Sequence, residues 1–430
     1  MHDFEYNASG ELCCGALPLR AIAEEVGTPF YCYSLPTLKR HIRAFEEPLA
    51  GIDHQTCFAM KANSNMAVLA LMAKEGLGAD VVSGGELFRA LKAGIPATKI
   101  VYSGVGKTTE EIDMAISSGI MMFNIESSEE LSVINERAGV LGRKAPVSIR
   151  VNPDVDPQTH PYISTGLKKN KFGIDIEASV RQYQAASRMA NIEIVGIDCH
   201  IGSQLTDIAP FIDAIERLKT LISDLRRLGI GFSYLDLGGG LGITYSTEQP
   251  PHPREYGAAV IEAVKGLDLK LVFEPGRVIV GNAGVLVTRV LYRKETAEKT
   301  FIIVDAGMND LIRPALYNAW HEIVPLEKKS GPKERVDVVG PICESSDFLA
   351  KDRDLVRLGR GDLIAVMSAG AYGFTMASNY NSRPKPPEVL VDGERSCVVV
   401  RRQSYEDLVA GEVIPDEMFE RGETRCSQVR

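Results

Sequence analysis

The chain lacks the features that mark membrane, secreted or nucleic-acid-binding proteins. It has one tryptophan among 430 residues, and aromatic residues make up only 7%. No run of about 18 apolar residues occurs, so no membrane span is expected. The first ten residues, MHDFEYNASG, carry neither a basic region nor an apolar stretch, so a secretory signal is not expected. Basic residues do not dominate. The 48 Lys and Arg are outnumbered by 57 Asp and Glu, and the formal net charge of -9 argues against a nucleic-acid or anionic-membrane partner. Cysteine pairs are missing too. Cys13, Cys14, Cys32, Cys57, Cys199, Cys343, Cys397 and Cys426 are scattered with no C-x-x-C spacing. That usage fits reduced cytoplasmic thiols, not a disulfide framework or a zinc site, and no metal is expected. Cys13-Cys14 suggests no role.

What is present is an ordinary globular composition, 45% hydrophobic and 24% charged, on a chain long enough for two domains. From about residue 55 to 280, short apolar β-rich runs alternate with helix-like stretches. The runs are Thr56–Ala59, Ala79–Val82, Lys99–Tyr102, Met121–Ile125, Val147–Val151, Ile194–Cys199, Tyr234–Leu237 and Leu271–Phe273. Helical periodicity fills the gaps, as in Gly85–Gly94 and Phe211–Leu228, and both stretches stop near a glycine. Eight such alternations predict an α/β fold, a (β/α)8 TIM-type barrel; a doubly wound open sheet is the rival. After about residue 283 the runs become strand-like: Val285–Tyr292, Thr300–Asp305, Arg335–Val339, Asp362–Met367, Val389–Val391 and Ser396–Arg401. They predict a mostly β, Greek-key-like C-terminal domain. Pro29–Tyr33 also reads as a strand that could pair into it. The expected division is a barrel over 35–282, with 283–430 plus 1–34 forming the β domain.

Barrel chemistry sits at the C-terminal ends of the strands. There the sequence offers Lys61, Ser83 and Glu86, Asn124 and Glu126, Arg150 and Asn152, His200 with Ser203 and Gln204, Gly238-Gly239-Gly240, and Glu274 with Gly276 and Arg277. A lysine directly after an apolar strand is partly desolvated, which is expected to lower its pKa and suit it to Schiff-base chemistry. Its plainer reading is a snorkelling strand end. Asp236-Leu-Gly-Gly-Gly-Leu-Gly242 could cradle a phosphate with backbone N–H groups, or could simply turn. Ile243 breaks the dinucleotide fingerprint. Gly104-Val-Gly-Lys-Thr-Thr109 resembles a P-loop, but Val101 occupies the place of its first glycine, so a nucleotide triphosphatase is rejected. His200 could stack on a ring, transfer a proton or be merely structural. Glu274 and Arg277 could be no more than a rim ion pair.

Taken together, Phe58-Ala-Met-Lys-Ala-Asn63, Ala79-Asp-Val-Val-Ser-Gly-Gly-Glu86, His200-Ile-Gly-Ser-Gln204, Gly238-Gly-Gly-Leu-Gly242, Glu274-Pro-Gly-Arg277, Cys343-Glu-Ser-Ser-Asp347 and Gly370-Ala-Tyr-Gly373 resemble the fold-type III decarboxylases that use pyridoxal 5'-phosphate (PLP). The motifs span nearly the whole chain in that family's order. The resemblance implies that Lys61 holds PLP as a Schiff base and that His200 stacks on its ring. It assigns the phosphate to Ser203, Gly238, Gly239, Gly240, the Pro275-Gly276-Arg277 backbone and the Tyr372 hydroxyl. Glu274 would face the pyridine nitrogen and keep it protonated, so that the ring can accept electrons when CO2 leaves.

Three features are similar to the family's diaminopimelate enzymes: Cys343-Glu344, Arg313-Pro-Ala-Leu-Tyr317 and Asn379-Tyr-Asn381. By that resemblance Arg277 and Arg313 would hold the substrate's distal carboxylate, Glu344 its distal ammonium, and Tyr317 and Tyr372 would complete the pocket. The implied reaction converts meso-2,6-diaminopimelate to L-lysine and CO2, the last step of lysine biosynthesis by that route. Cys343 would be a catalytic residue, protonating the carbanion from the neighbouring subunit of a homodimer with shared active sites. A polyamine-pathway decarboxylase and a non-catalytic regulator are the remaining readings.

Overall fold

The computed structural model describes residues 2–155, 171–415 and 418. Cys426 lies outside them. Eight parallel strands form the first half: β1 (His54–Ala59), β2 (Gly78–Val81), β3 (Ile100–Tyr102), β4 (Met122–Ile125), β5 (Ala145–Asn152), β6 (Ile192–Asp198), β7 (Tyr234–Asp236) and β8 (Lys270–Phe273). Each pairs with the next. β8 then pairs with β1 through Leu271–His54, Val272–Gln55 and Phe273–Thr56, so the sheet closes. Closure excludes the open doubly wound sheet. Every expected barrel run is a strand, and the residues are almost all buried because the barrel interior covers one face and the helices the other.

The helices follow their sequence signals. Ala209–Arg227 buries Phe211, Ala214, Ile215, Leu218, Leu221, Ile222 and Leu225, an i, i+3, i+4, i+7 stripe facing the strands. Thr109–Ser118 starts with a Thr108/Glu111 capping box and stops at Gly119, whose φ of 71° only glycine adopts without strain.

The second half is a β domain built on β9 (Gly284–Glu295), β10 (Thr300–Val304), β11 (Ile323–Pro325), β12 (Lys333–Val339), β13 (Phe348–Val356), β14 (Leu363–Val366), β15 (Glu388–Asp392) and β16 (Arg395–Val400). The N-terminal strand Phe30–Ser34 runs antiparallel to β9 and parallel to β15, so it stitches the chain's beginning into this sheet. Its alternation is strict. Tyr31 and Tyr33 enter one core with Leu286 and Val366, while Phe30 and Cys32 enter the other with Val285 and Val389. Cys14 packs into that second core from the small hairpin Phe4–Tyr6/Leu12–Cys14, which gives Cys14 a packing role.

Strands β11 and β13 escape the sequence reading. β13 carries Lys351, Asp352, Arg353 and Asp354 because it is a sheet edge with one face in water, and its register against β12 is bulged.

Candidate active site

At the C-terminal end of the barrel lies a cavity of about 820 Å3. It gathers Lys61, His200, Ser203, Gly238, Gly239, Gly240, Glu274, Pro275, Gly276, Arg277, Arg313, Tyr317 and Tyr372. Every expected site residue is there except Cys343 and Glu344. Those two are exposed and do not line the cavity of their own chain.

Lys61 sits on a 3-10 turn, Met60–Ala62, that continues β1. Its Nζ donates to Asp80 Oδ2 at 2.7 Å. Asp80 belongs to β2 and is fully buried, with its other oxygen unpartnered. Here the structure corrects the sequence expectation. Burial works to lower the lysine's pKa, but the Asp80 and Glu274 carboxylates outweigh it and hold the ammonium above its ordinary value. The second half of the chain fixes this turn from above. Tyr372 N donates to Ala62 O at 2.8 Å, and Asn63 Nδ2 donates to Gly370 O at 3.1 Å.

The glycine run owes its composition to crowding. A Cβ on Gly238 would lie 2.6 Å from His200 Nδ1, one on Gly239 2.2 Å from Glu274 O, and one on Gly240 2.6 Å from Gly202 O. Gly238 N donates to Asp236 Oδ1 at 2.9 Å and Gly239 N to His200 Nδ1 at 3.1 Å. Two of the three N–H groups expected to face a phosphate are therefore committed within the protein. Those of Gly240 and Gly276 find no acceptor among the described residues. Because His200 Nδ1 accepts, its ring is not doubly protonated. Burial, then Arg150 and Lys61, pushes its pKa well below 6.5, so the imidazole is neutral and lies on the glycine run.

Glu274 ends β8. Ser103 Oγ and Asn124 Nδ2 approach its Oε1 at 3.4 Å each. Burial and the neighbouring Asp236 and Asp80 raise its pKa, and burial and Asp198 raise that of Asp236. Asp236, pushed up to about 8, keeps its proton at neutral pH, and Glu274 is shifted in the same direction. Glu274 and Arg277 make no ion pair. Arg277 turns the other way, donating to Tyr245 Oη at 2.7 Å and Ser203 Oγ at 3.0 Å. Arg313 stacks on the opposite ring contact, its Cζ 4.5 Å from the Tyr245 centroid, and shares a 2.8 Å hydrogen bond with His321. Among the described residues neither guanidinium pairs with a carboxylate, although both side chains are buried, and Arg277 Nε has no partner at all.

These residues suit PLP. A primary amine opens onto the cavity, a glycine run leaves an unused N–H for a phosphate, a neutral flat ring lies beside it, and a buried carboxyl group with a raised pKa stands opposite.

Sequence reasoning named Arg150 only as one strand-end residue among several, without a role, and passed over Asp80, Tyr245 and His321. Asp80 had a signal: a carboxylate inside a strand buried on both faces needs a partner. Arg150 had one too, at the end of β5, where it pairs with Glu126 at 2.8 Å. Tyr245 and His321 stand in loops far apart in the chain, and only folding brings them together. The Asn379-Tyr-Asn381 segment gains a physical reason, since Asn381 Oδ1 accepts from Cys343 N at 2.8 Å and Asp347 Oδ2 accepts from Ile342 N at 2.6 Å. Together they shape the exposed Cys343–Glu344 loop.

The chain's relatives share this arrangement of domains. The family described as pyridoxal-dependent decarboxylase, pyridoxal binding domain, matches residues 35–281. A diaminopimelate decarboxylase of Vibrio cholerae is 52% identical over 97% of this chain and 100% of its own length. One from Pseudomonas aeruginosa is 55% identical, covering 96% and 99%. The crystal structure of diaminopimelate decarboxylase from M. jannaschii in co-complex with L-lysine superposes with a TM-score of 0.92 at 40% identity, covering 97% of this chain and 100% of that one. On sequence and fold alike, the chain belongs to the pyridoxal-dependent decarboxylases, among their diaminopimelate decarboxylases.

Proposed function

We propose that this enzyme removes one carboxylate of meso-2,6-diaminopimelate as CO2 and yields L-lysine. The observation that carries the reading is the pair of buried guanidinium groups, Arg277 and Arg313, lacking any carboxylate partner among the described residues at the mouth that holds Lys61 and Glu274. Two such groups are suited to the carboxylate at the far end of the substrate. Ornithine has no group to meet them, and leaving them covered and unpaired would cost about 3 kcal/mol. PLP supplies a ring that accepts the electron pair left when CO2 departs.

The chain's own residues do the rest. Lys61 is the attachment amine. His200, fixed by the Gly239 N–H, would stack on the cofactor ring. Ser203, Gly240, Pro275, Gly276, Arg277 and Tyr372 would hold the phosphate, and Gly238 and Gly239, whose N–H groups are already used, would only let it approach closely. Glu274 would face the pyridine nitrogen and keep it protonated. Tyr317 and Tyr372 close the cavity over the substrate.

The barrel, 35–282, carries the cofactor in this reading. Residues 283–430 with 1–34 complete the substrate site and form a homodimer interface. The exposed Cys343 and Glu344, held on a braced loop away from their own chain's cavity, would serve the cavity of the second copy. Glu344 would meet the distal ammonium there, and the Cys343 thiol would give a proton to the carbon that has lost CO2. Among the described residues no helix is long and apolar enough to cross a membrane, and we place the enzyme in the cytoplasm.

The test is CO2 release by the PLP-loaded protein from meso-diaminopimelate, ornithine and L-lysine. Release from diaminopimelate alone is expected. Faster release from ornithine would overturn the assignment of the two arginines.

A further inference from the structure

His321 is a fully buried titratable group near the cavity that the reaction does not use. It stands in a loop before β11 and does not line the cavity. One ring nitrogen, Nδ1, lies 2.8 Å from Met367 O, and the other, Nε2, lies 2.8 Å from Arg313 Nη1. The carbonyl can only accept and the guanidinium can only donate. Nδ1 therefore carries the hydrogen and Nε2 the lone pair, so the ring is a neutral imidazole in one tautomer. Its ring plane is set as well, with the centroid 5.3 Å from that of Tyr245 at 79°. Tyr245 carries Arg313 on its face and takes Arg277 Nη1 at its hydroxyl.

The two guanidinium groups are thus tied by uncharged groups on every side: an imidazole nitrogen, a phenol and the hydroxyl of Ser203. This choice matters. A carboxylate at position 321 would orient Arg313 equally well, but would also pair with it and cancel its charge. An imidazole lone pair fixes the geometry and leaves the charge available.

We infer that His321 is a positioning residue for substrate recognition, holding Arg313 in place without neutralising it, so that the guanidinium stays free for the carboxylate that remains after decarboxylation. The inference rests on the substrate reading given above. Decarboxylation removes one carboxylate, and the product keeps the other. L-Lysine should therefore bind through the same pair of arginines, which provides a readout that requires no turnover.

The experiment compares holoenzymes carrying His321→Gln, His321→Ala and His321→Glu with wild type and with Arg313→Ala. Steady-state rates on meso-diaminopimelate, L-lysine binding by calorimetry and bound-PLP absorbance are measured. His321→Ala is expected to raise KM and the L-lysine Kd by about 10- to 100-fold, the range for a hydrogen bond to a charged group, with kcat changed less than about threefold. His321→Gln, which retains an acceptor, should restore most of the affinity. His321→Glu should bind L-lysine as poorly as Arg313→Ala while keeping its PLP. If His321→Ala does not fold, the Gln and Glu pair carries the comparison. Unchanged KM and Kd in a folded His321→Glu, with Arg313→Ala impaired, would overturn the positioning role and leave the substrate reading intact. A wild type that neither decarboxylates diaminopimelate nor binds L-lysine would overturn both.

Discussion

Lys61 Nζ lies 2.7 Å from Asp80 Oδ2, with the two side chains reaching across from neighbouring barrel strands. An amine joins a carbonyl only when unprotonated, and Asp80 acts in the opposite sense by holding the proton on Lys61. In Asp80→Asn that hold is lost and the lysine's pKa falls. Cofactor-stripped Asp80→Asn is therefore expected to reload PLP at lower pH than wild type does. Following the absorbance of bound PLP across about pH 6 to about pH 10 checks this, and coincident profiles would show that Asp80 does not control the proton. Lys61→Ala should show no bound-PLP absorbance and no activity.

The glycine run makes a steric prediction. Gly239→Ala forces its new methyl to within 2.2 Å of the Glu274 carbonyl, which is backbone and cannot swing away. Overpacking of this kind costs about 1–3 kcal/mol, and here it moves Glu274 and His200 together. PLP affinity should drop by at least about tenfold. Gly231→Ala is the control, because a Cβ there meets nothing within 4 Å. Equal PLP retention by the two variants would refute the packing argument.

The barrel and most of its mouth were legible because each strand end presents its reactive residue within a few positions of an apolar run, as Lys61 does after β1 and Glu274 at the end of β8. The same local reading put the Lys61 pKa on the wrong side of its ordinary value. Burial was visible in the sequence, but the Asp80 carboxylate across the strand pair was not. Tyr245, Arg313 and His321 form one network from two loops and the first turn of the short helix Arg313–Tyr317, a proximity with no sequence period. β13 was missed because an edge strand tolerates charge on its wet face, which hides the alternation.

Glu388 joins the two halves of the molecule close to Lys61. It is buried, takes the Tyr33 hydroxyl at 2.6 Å and the Asn65 amide at 2.9 Å, and so anchors the turn that follows Lys61 to the β domain. Glu388→Ala leaves two buried donors unsatisfied and should cost about 2–4 kcal/mol. PLP dissociation should quicken as the 61–65 segment loosens. Glu388→Gln can accept from Asn65 and donate to Tyr33, and should cost about 1 kcal/mol. Denaturant midpoints and PLP release rates for both variants check this. Equal penalties would mean that the volume of the side chain matters and its hydrogen bonds do not.

His321 also leaves a signature in stability. Burial and then Arg313 push its pKa down to about 3 from the ordinary 6.5. Below pH 6.5 the unfolded chain takes up a proton at this position that the folded protein refuses. Folding therefore loses stability as pH falls from about 6.5 toward about 3, by up to about 1.4 kcal/mol per pH unit, and loses none from this group at higher pH. His321→Gln has no such proton to refuse. His200 is depressed in the same direction but is present in both proteins, so its contribution cancels in the comparison. Denaturant unfolding of the two PLP-bound proteins at about pH 7.5 and about pH 5.5 should show the wild type's advantage over His321→Gln shrinking by about 1 kcal/mol at the acid end. An advantage that stays constant would mean that His321 is protonated in the fold. Its Nε2 could then not accept from Arg313, and the hydrogen bond that defines the network would have to be drawn differently.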